Sequence, residues 1–306
     1  MPGTGSRDAV VVVSYGDPTV LLDNPMLVAS SRWHAVVVDN LSTPDHRASA
    51  RALAQRHGWE LLEPESNLGF GAGANLGIER AVAGGSEVVL LVNPDAQLEH
   101  AAAEALATSV RSEPGLLASP TVVRPDGSPW FAGASLDLRT GRTSGDRDAY
   151  ATPWLSGACL ATRADAWLRH GGFADDYFLY WEDIDLSVRW VASGGRLAVL
   201  DTVTCRHAVG GTQHASSSRA KSPQYYYYNC RNRLLFAARN LPARARWRWA
   251  CGALPYARDV LLRGGRRQLL HPRPTLGAAM RGTVAGLAQL VRGAPRKDER
   301  PPAATG

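Results

Sequence analysis

Ala9-Val10-Val11-Val12-Val13-Ser14-Tyr15 decides the fold. Its five consecutive apolar residues, four of them valine, leave no polar face. A strand built from them must be covered on both sides, as in a parallel sheet flanked by helices. The same pattern recurs at His34-Ala35-Val36-Val37-Val38-Asp39-Asn40 and at Glu87-Val88-Val89-Leu90-Leu91-Val92-Asn93. Each apolar run ends in polar residues. Helical spacing fills the gaps, at 18–31, at 44–57 before the stop at Gly58, at 73–82 and at 98–110, with a short strand at 59–64. Strands alternating with helices imply an α/β fold, a mainly parallel central sheet flanked by helices with right-handed crossovers. Beyond 113 the pattern is less regular. It predicts strands at 116–123, 154–162 and 196–204, helices at 183–191 and 224–240, a turn at Pro125-Asp126-Gly127 and a polar loop at 141–152.

The composition narrows the class. With 306 residues, 45% hydrophobic and 20% charged, the chain is an ordinary globular protein with room for a sizeable core. The four cysteines form no C-x-x-C pair and fit no zinc spacing, so reduced structural thiols in the cytoplasm are expected. The N-terminus offers no apolar signal region, and no stretch reaches the roughly 18 apolar residues of a membrane span. The net charge of +6 is unevenly spread. Residues 241–306 hold 13 Lys/Arg against 3 Asp/Glu, leaving −4 for the rest. Trp247, Trp249, Leu254, Tyr256, Val260, Leu261, Leu262, Leu269 and Leu270 are interleaved with those arginines. That mixture suits an amphipathic helix at a membrane interface. Residues 296–306 read as a disordered end. No recognisable nucleic-acid motif accompanies the basic residues, so no nucleic-acid partner is expected.

Open parallel sheets bind ligands beyond the carboxyl ends of their strands. The unusual polar residues fall there: Ser14-Tyr15, Asp39-Asn40 and Asn93-Pro94-Asp95. Asp39 can accept a hydrogen bond from a base N–H, and Asp95 can hold a hard divalent cation. Gly69, Gly71 and Ala74 match the dinucleotide fingerprint G-x-G-x-x-[GA], but they follow a later, weaker strand, which argues against an NAD site. The loop is still expected to expose backbone N–H groups to a phosphate or sugar. Phe178-Leu179-Tyr180-Trp181-Glu182-Asp183-Ile184-Asp185-Leu186 sets three carboxylates among apolar rings. Such a setting raises a carboxyl pKa toward the range of a general base. Acidic residues also favour the first turn of a helix, so the run alone is equally an acidic helix start.

Taken together these motifs resemble a known family. Ser14-Tyr15, Asp39-Asn40-x-Ser42, Asn67-x-Gly69-x-Gly71-x-x-x-Asn75, Asn93-Pro94-Asp95, Trp154-Leu155-Ser156-Gly157 and Tyr180-x-Glu182-Asp183-x-Asp185-Leu186 occur in the order seen in glycosyltransferase family 2, most like its bacterial rhamnosyltransferase-like branch. The likeness covers roughly residues 8–240. It implies a GT-A fold over 1–240, with a nucleotide-binding half at about 8–112 and an acceptor and catalytic half at about 113–240, followed by a basic amphipathic extension at 241–306. It also implies inversion at the anomeric carbon. Asp183 matches the catalytic base. Ser14, Tyr15, Asp39, Asn40, Asn67, Gly71, Asn75, Asn93 and Asp95 fall on the donor side, with Asp39 at the pyrimidine base. Trp154, Ser156, Gly157, Trp181, Glu182 and Arg231 fall on the acceptor side. Asp95, with His207, stands where members bind Mg or Mn. Asn93 replaces the first aspartate of the family's D-x-D motif, which removes one negative charge.

The expected reaction moves a sugar from dTDP-L-rhamnose or a UDP-hexose to an acceptor hydroxyl, such as that of a polyprenyl-diphosphate-linked saccharide in cell-wall or polysaccharide synthesis. A soluble natural-product acceptor is the alternative, as is a nucleotide-sugar-binding protein without turnover. The expected location is cytoplasmic, with peripheral contact at the inner membrane face through the basic tail.

Overall fold

The computed structural model describes residues 8–28, 32–207, 221–265 and 274–292. The stretch read as a disordered end, 296–306, and Leu269 and Leu270 lie outside these residues. The chain divides into two compact units, Met1–Asp137 with Thr143–Ser217, and Leu138–Arg142 with Ser218–Gly306.

The first unit alternates strand and helix as its pattern requires. It begins β1 (Ala9–Ser14), α1 (Pro25–Val28), β2 (His34–Asp39), α2 (Pro44–His57), β3 (Glu60–Leu62), α3 (Phe70–Ala83), β4 (Val88–Val92), β5 (Ala96–Gln97) and α4 (His100–Ser112). It continues β6 (Leu116–Val123), β7 (Pro129–Phe131), β8 (Ala134–Asp137), β9 (Arg142–Ser144), β10 (Thr152–Trp154), β11 (Cys159–Arg163), α5 (Ala164–His170), α6 (Glu182–Ala192) and β12 (Arg196–His207). Among the described residues the main sheet runs β3-β2-β1-β4-β11-β6-β12-β5, with β7 paired to β6. The ladders β1–β2, β1–β4, β2–β3 and β6–β12 are parallel, and β11 enters antiparallel between β4 and β6. Strand β1 alternates as a two-sided strand must. Val10 and Val12 join the core with Val37, Leu90 and α4, while Ala9, Val11 and Val13 join the opposite core with Ile78, Trp167 and Trp190.

The local signals explain the helix limits. Thr43 caps α2 through its side-chain oxygen, Pro44 opens it, and Gly58 ends it in the left-handed region at φ 71°. Three expectations need correction. The spacing at 18–31 does not make one helix. Asp17 caps a 3-10 turn at Pro18–Asp23, Asn24 is extended, and α1 adds a single turn, with 29–31 outside the described residues. Asn24 halts the helix because its side chain accepts the Met26 N–H locally, competing with the helical ladder. The strand expected at 154–162 is two strands, β10 and β11, separated by Leu155 to Ala158. There Ser156 and Gly157 turn the chain, and Ser187 Oγ accepts the Leu155 N–H at 3.0 Å. The loop expected at 141–152 contains β9, which pairs with β8 in a small sheet.

Two pairings position the chemistry. The β1–β2 register sets Ser14 beside Asp39. The short β5–β12 pairing sets His207 opposite Ala96, so the end of β12 meets the segment that follows β4.

The second unit holds α7 (Pro223–Asn240), α8 (Ala243–Cys251), α9 (Ala253–Arg263) and α10 (Thr275–Arg292). Arg233 on α7 is 1% exposed. Its guanidinium donates to the carbonyls of Trp249 and Thr140 at 3.0 and 2.6 Å and lies 4.7 and 4.6 Å from the ring centres of Trp249 and Tyr256. Burial pushes its pKa down to about 10, and the π faces and carbonyls offset part of the charge. Gly282 and Gly286 let α10 lie directly on α7, where a Cβ would strike the Tyr227 backbone and the Leu234 side chain. No helix among the described residues is long and apolar enough to cross a membrane.

Candidate active site

Three segments bring the polar residues of the first unit together at the carboxyl ends of β1, β2 and β4. The backbone N–H of Asn93 donates to the Ala158 carbonyl at 2.9 Å, which ties the segment after β4 to the turn before β11. That turn reaches α6, where the Gly157 N–H donates to Asp183 Oδ2 at 3.3 Å. A Cβ at Gly157 would stand 2.9 Å from the Phe70 ring and 3.9 Å from Asp183 Cβ, so a larger residue would have to displace that ring.

The acidic run is a helix start, and more than that. Tyr180 and Trp181 both adopt left-handed backbone, at φ 66° and 74°. Two successive non-glycine residues there store strain, and such strain gathers at functional sites. They deliver Glu182 and Asp183 into the first turn of α6. Burial raises the Asp183 carboxyl to about 6, against hydrogen bonds from the Gly157 and Ile184 N–H groups that favour the charged form. Glu182 is buried, and its Oε2 has no hydrogen-bond partner. Burial first, and the Asp183 charge second, push its carboxyl well above the ordinary value. The pair is therefore split: the Asp183 charge raises Glu182 further, so Asp183 is the carboxyl that ionises first. Asp185 is committed elsewhere, paired with Arg189 at 2.6 Å and accepting from the Tyr177 hydroxyl at 3.2 Å.

The Glu182 environment carries a stability prediction. A carboxyl held protonated in the folded state stabilises fully below its ordinary pKa, and that contribution is lost as pH rises. Glu182→Gln keeps the shape and removes the ionisation. Its melting temperature should exceed that of the parent by more at pH 8 than at pH 5; an equal difference at both would mean Glu182 is not held neutral.

The β2 end is built around Asp39, which is 2% exposed. Its Oδ1 accepts the Ser42 N–H at 2.9 Å. Its Oδ2 makes no hydrogen bond and lies 3.6 Å from Arg47 Nε. Arg47 Nη2 also donates to the Pro64 carbonyl at 2.6 Å, so α2 braces the ends of β2 and β3. The sequence reading passed over Arg47, although it sits in the first turn of the helix directly after Asp39. Ser14 is buried in the ladder, and Tyr15 is exposed beyond it.

The glycine loop departs from expectation. Its N–H groups at 68, 69 and 70 do not face outward; they donate to Asn40 Oδ1, Asn67 Oδ1 and the Phe178 carbonyl, respectively. The Asn40 amide in turn donates to Asn67 Oδ1 and the Gly69 carbonyl. Gly69, at φ 80°, lies so close to the Phe178 backbone that any Cβ would collide with it, and a Cβ at Gly71 would be 3.0 Å from Phe173 Cβ. The glycines thus seat α3 under 173–178, the segment that leads into Glu182. Asn75 completes the clasp, accepting from the Phe173 N–H and donating to its carbonyl, at 3.0 and 2.9 Å. Backbone groups spent in this way are not available to a phosphate.

After β4, Asp95 Oδ1 and His207 Nε2 lie 2.9 Å apart, both nearly buried. The His207 ring meets Trp130 edge-on at 4.8 Å, and its Nδ1 is buried with no partner. Among the described residues no group of three or more His, Cys, Asp or Glu side chains could hold a metal. An O and N pair with one orphaned ring nitrogen still fits a hard cation whose other ligands come from a diphosphate. On the expected acceptor side, Trp154 is half-buried against Phe131, Ser156 accepts the Ala158 N–H, and Trp181 is buried. Arg231 belongs to the second unit, where Nη1 donates to Asn232 Oδ1 at 2.6 Å.

Comparisons with known proteins agree with this architecture. Residues 9–167 match the family model of Glycosyl transferase family 2. The chain is 30% identical to an N-acetylglucosaminyl-diphospho-decaprenol L-rhamnosyltransferase of Mycobacterium tuberculosis (strain CDC 1551 / Oshkosh), over an alignment of 219 residues spanning 60% of this chain and 70% of that protein. The fold is similar to that of the mannosyltransferase PcManGT from Pyrobaculum calidifontis, solved with GDP-Man and Mn2+, with a TM-score of 0.56, 20% identity and coverage of 97% and 89% of the two chains. It is also similar to GalNAc-T7 solved with UDP, GalNAc and Mn2+, with a TM-score of 0.53 and 12% identity over 67% of this chain; there the match spans only 44% of the other chain. With its mixed sheet and matched domain, the chain is a GT-A-fold glycosyltransferase of family 2, similar to a rhamnosyltransferase.

Proposed function

We propose that the protein is an inverting glycosyltransferase that moves a sugar from a pyrimidine nucleotide, dTDP-L-rhamnose or a UDP-hexose, to a hydroxyl of a lipid-linked saccharide. The observation that carries this reading is the split carboxyl pair at the start of α6, held by strained backbone against Gly157. A sugar hydroxyl is a weak nucleophile, and a carboxylate titrating near neutrality can take its proton as it attacks the anomeric carbon. The attack opens from the face opposite the nucleotide, so the centre inverts. Glu182, protonated, keeps a second negative charge away from that carboxylate and can donate a hydrogen bond to the acceptor. Trp154, Ser156, Gly157, Trp181 and Arg231 are assigned to the acceptor, with the Gly157 N–H donating to Asp183.

The donor is assigned to the strand ends: Ser14, Tyr15, Asp39, Asn40, Asn67, Gly71, Asn75, Asn93 and Asp95. Asp39 recognises the base through Oδ2, which makes no hydrogen bond and is held 3.6 Å from Arg47 Nε, while Asn40, Asn67, Gly71 and Asn75 act by holding the loop in shape. Asp95 and His207 would hold Mg or Mn. When bound, the cation supplies positive charge to offset that gathering on the diphosphate leaving group. The relative's lipid-linked substrate supports a polyprenyl-diphosphate acceptor and a role in cell-wall or polysaccharide assembly.

Two measurements test this. Calorimetric titration with dTDP, UDP and ADP, with and without Mn or Mg, should show metal-enhanced binding of one pyrimidine diphosphate. Asp95→Ala should lower that enhancement by at least the ~10–100-fold that loss of a supporting partner costs at metal sites. Equal affinity for ADP would remove Asp39 from base recognition. The pH profile of kcat/KM should fall about tenfold per unit below about pH 6, since the base must be ionised and Asp183 holds its proton there. A flat profile from pH 5 to 7 would exclude Asp183 as the base.

A further inference from the structure

The second unit has a charge composition unlike that of a structural bundle. Its described residues, 138–142, 221–265 and 274–292, contain thirteen Lys and Arg and a single carboxylate, Asp259. Asp259 is already paired with Arg142 at 2.7 Å. Among the described residues of this unit no further acidic side chain balances the exposed arginines. The outward faces of the helices repeat one composition. On α8, Arg244, Trp247, Arg248 and Cys251 are exposed at helical spacing, with Trp247 74% exposed. On α9, which follows after Gly252 alone, Leu254, Pro255 and Arg258 are exposed, with Leu254 at 61%. On α10, Met280, Arg281, Val284, Val291 and Arg292 are exposed, with Val284 at 63% and Val291 at 88%.

Scattered exposed apolar residues need no explanation. A tryptophan, leucine, methionine and two valines set among exposed arginines on three successive helices do. Their core-facing sides are fully used: Trp249, Tyr256, Val260, Leu261, Ala278 and Ala279 are buried. We propose that the outward face of α8 and α9, extended by α10, docks on an anionic lipid bilayer. Arginines meet the headgroup charge, Trp247 sits at the headgroup level, and Leu254 and the α10 side chains enter the acyl boundary. Nucleic acid would be served by the arginines alone and gives no reason for exposing Leu254, Val284 and Val291. This surface acts independently of the transfer chemistry, and it brings the enzyme to the phase in which a lipid-linked acceptor resides.

Flotation of the full chain with vesicles of phosphatidylcholine alone, or containing phosphatidylglycerol, tests the proposal. The protein should float with the anionic vesicles at low salt and much less with the neutral ones. The double variant Trp247→Ser/Leu254→Ser keeps every charge and should weaken binding at least about tenfold, the scale of one lost apolar insertion. Arg244→Glu/Arg248→Glu should abolish the preference for anionic lipid. All four positions are exposed, and thermal melting followed by circular dichroism in the same preparations, which reads the helices of the second unit, reports whether the variants fold. No flotation, or equal flotation with neutral vesicles, overturns the proposal. So does unchanged flotation of the Trp247/Leu254 variant, which would leave only an electrostatic surface such as one for nucleic acid. A parent that is dimeric by analytical ultracentrifugation, and a Trp247/Leu254 variant that is monomeric, would overturn it in favour of a second copy of the chain.

Discussion

Asp183→Asn should lower kcat/KM by ~10²–10⁴-fold, the range set by loss of a positioned general base. Asparagine keeps the size of the side chain, and its Oδ1 can still accept the Ile184 N–H that Asp183 accepts at 2.8 Å. It cannot take a proton. The variant should bind the nucleotide as the parent does, because Asp183 is proposed to act on the acceptor and its hydrogen bonds are with Gly157, Ile184 and Ser187, none of them a proposed donor contact. It should also melt higher. The Asp183 carboxyl titrates at about 6 in the folded chain, against ~3.9 in an unfolded one. A group whose folded pKa is raised contributes stability at low pH and loses it as pH climbs between those two values. Above pH 6, ionisation of this half-buried carboxyl costs the fold up to ~3 kcal/mol, an upper bound that solvent reduces. Removing the ionisation returns that energy, less the cost of the Gly157 N–H, which loses its Oδ2 acceptor. Activity lost and stability gained at pH 7.5, in one variant, is the combined signature of a catalytic carboxylate. An inactive variant that is also less stable would mean that Asp183 holds structure. An active one would move the base elsewhere.

Gly282→Leu should unfold or loosen the second unit, at a cost of ~2–4 kcal/mol, as overpacking against backbone does. The clash is with the Tyr227 carbonyl, part of α7, and no rotamer relieves a collision made by Cβ. Gly286→Leu meets the Leu234 side chain and the Arg231 carbonyl instead, at 2.8 and 2.9 Å from the added Cβ. Both contacts are longer than the one that a Cβ at Gly282 would make with the Tyr227 carbonyl, so Gly286→Leu should be the milder of the two. The difference is measurable as two melting temperatures or two urea midpoints. An α10 that tolerates leucine at 282 would not lie on α7 as described.

Much of this protein was written in local pattern. The two-sided valine runs set β1, β2 and β4, because a strand without a polar face has one stable place, between two covering layers. Thr43, Pro44 and Gly58 marked both ends of α2 to the residue, because caps act through bonds two or three residues long. The positions of Asp39, Asn93 and Asp95 at strand ends followed from the same runs. The motif order carried the family.

What the tertiary structure decided rests on groups distant in sequence. Asn40 and Asn75 read as donor residues, but their amides clasp the 67–70 loop and the 173 segment, contacts 27 to 98 residues apart. The glycine loop looked open to phosphate until Phe178 filled it. Glu182 and Asp183 are neighbours of the same chemistry. Only burial, and the single pair of N–H groups given to Asp183, separates a neutral acid from a carboxylate that ionises near neutrality. His207 reaches Asp95 through a two-residue strand that no propensity would mark. Periodicity encodes which face of an element is covered. It does not encode which distant element covers it, and the dielectric and hydrogen bonds that set a carboxyl's charge come from that element.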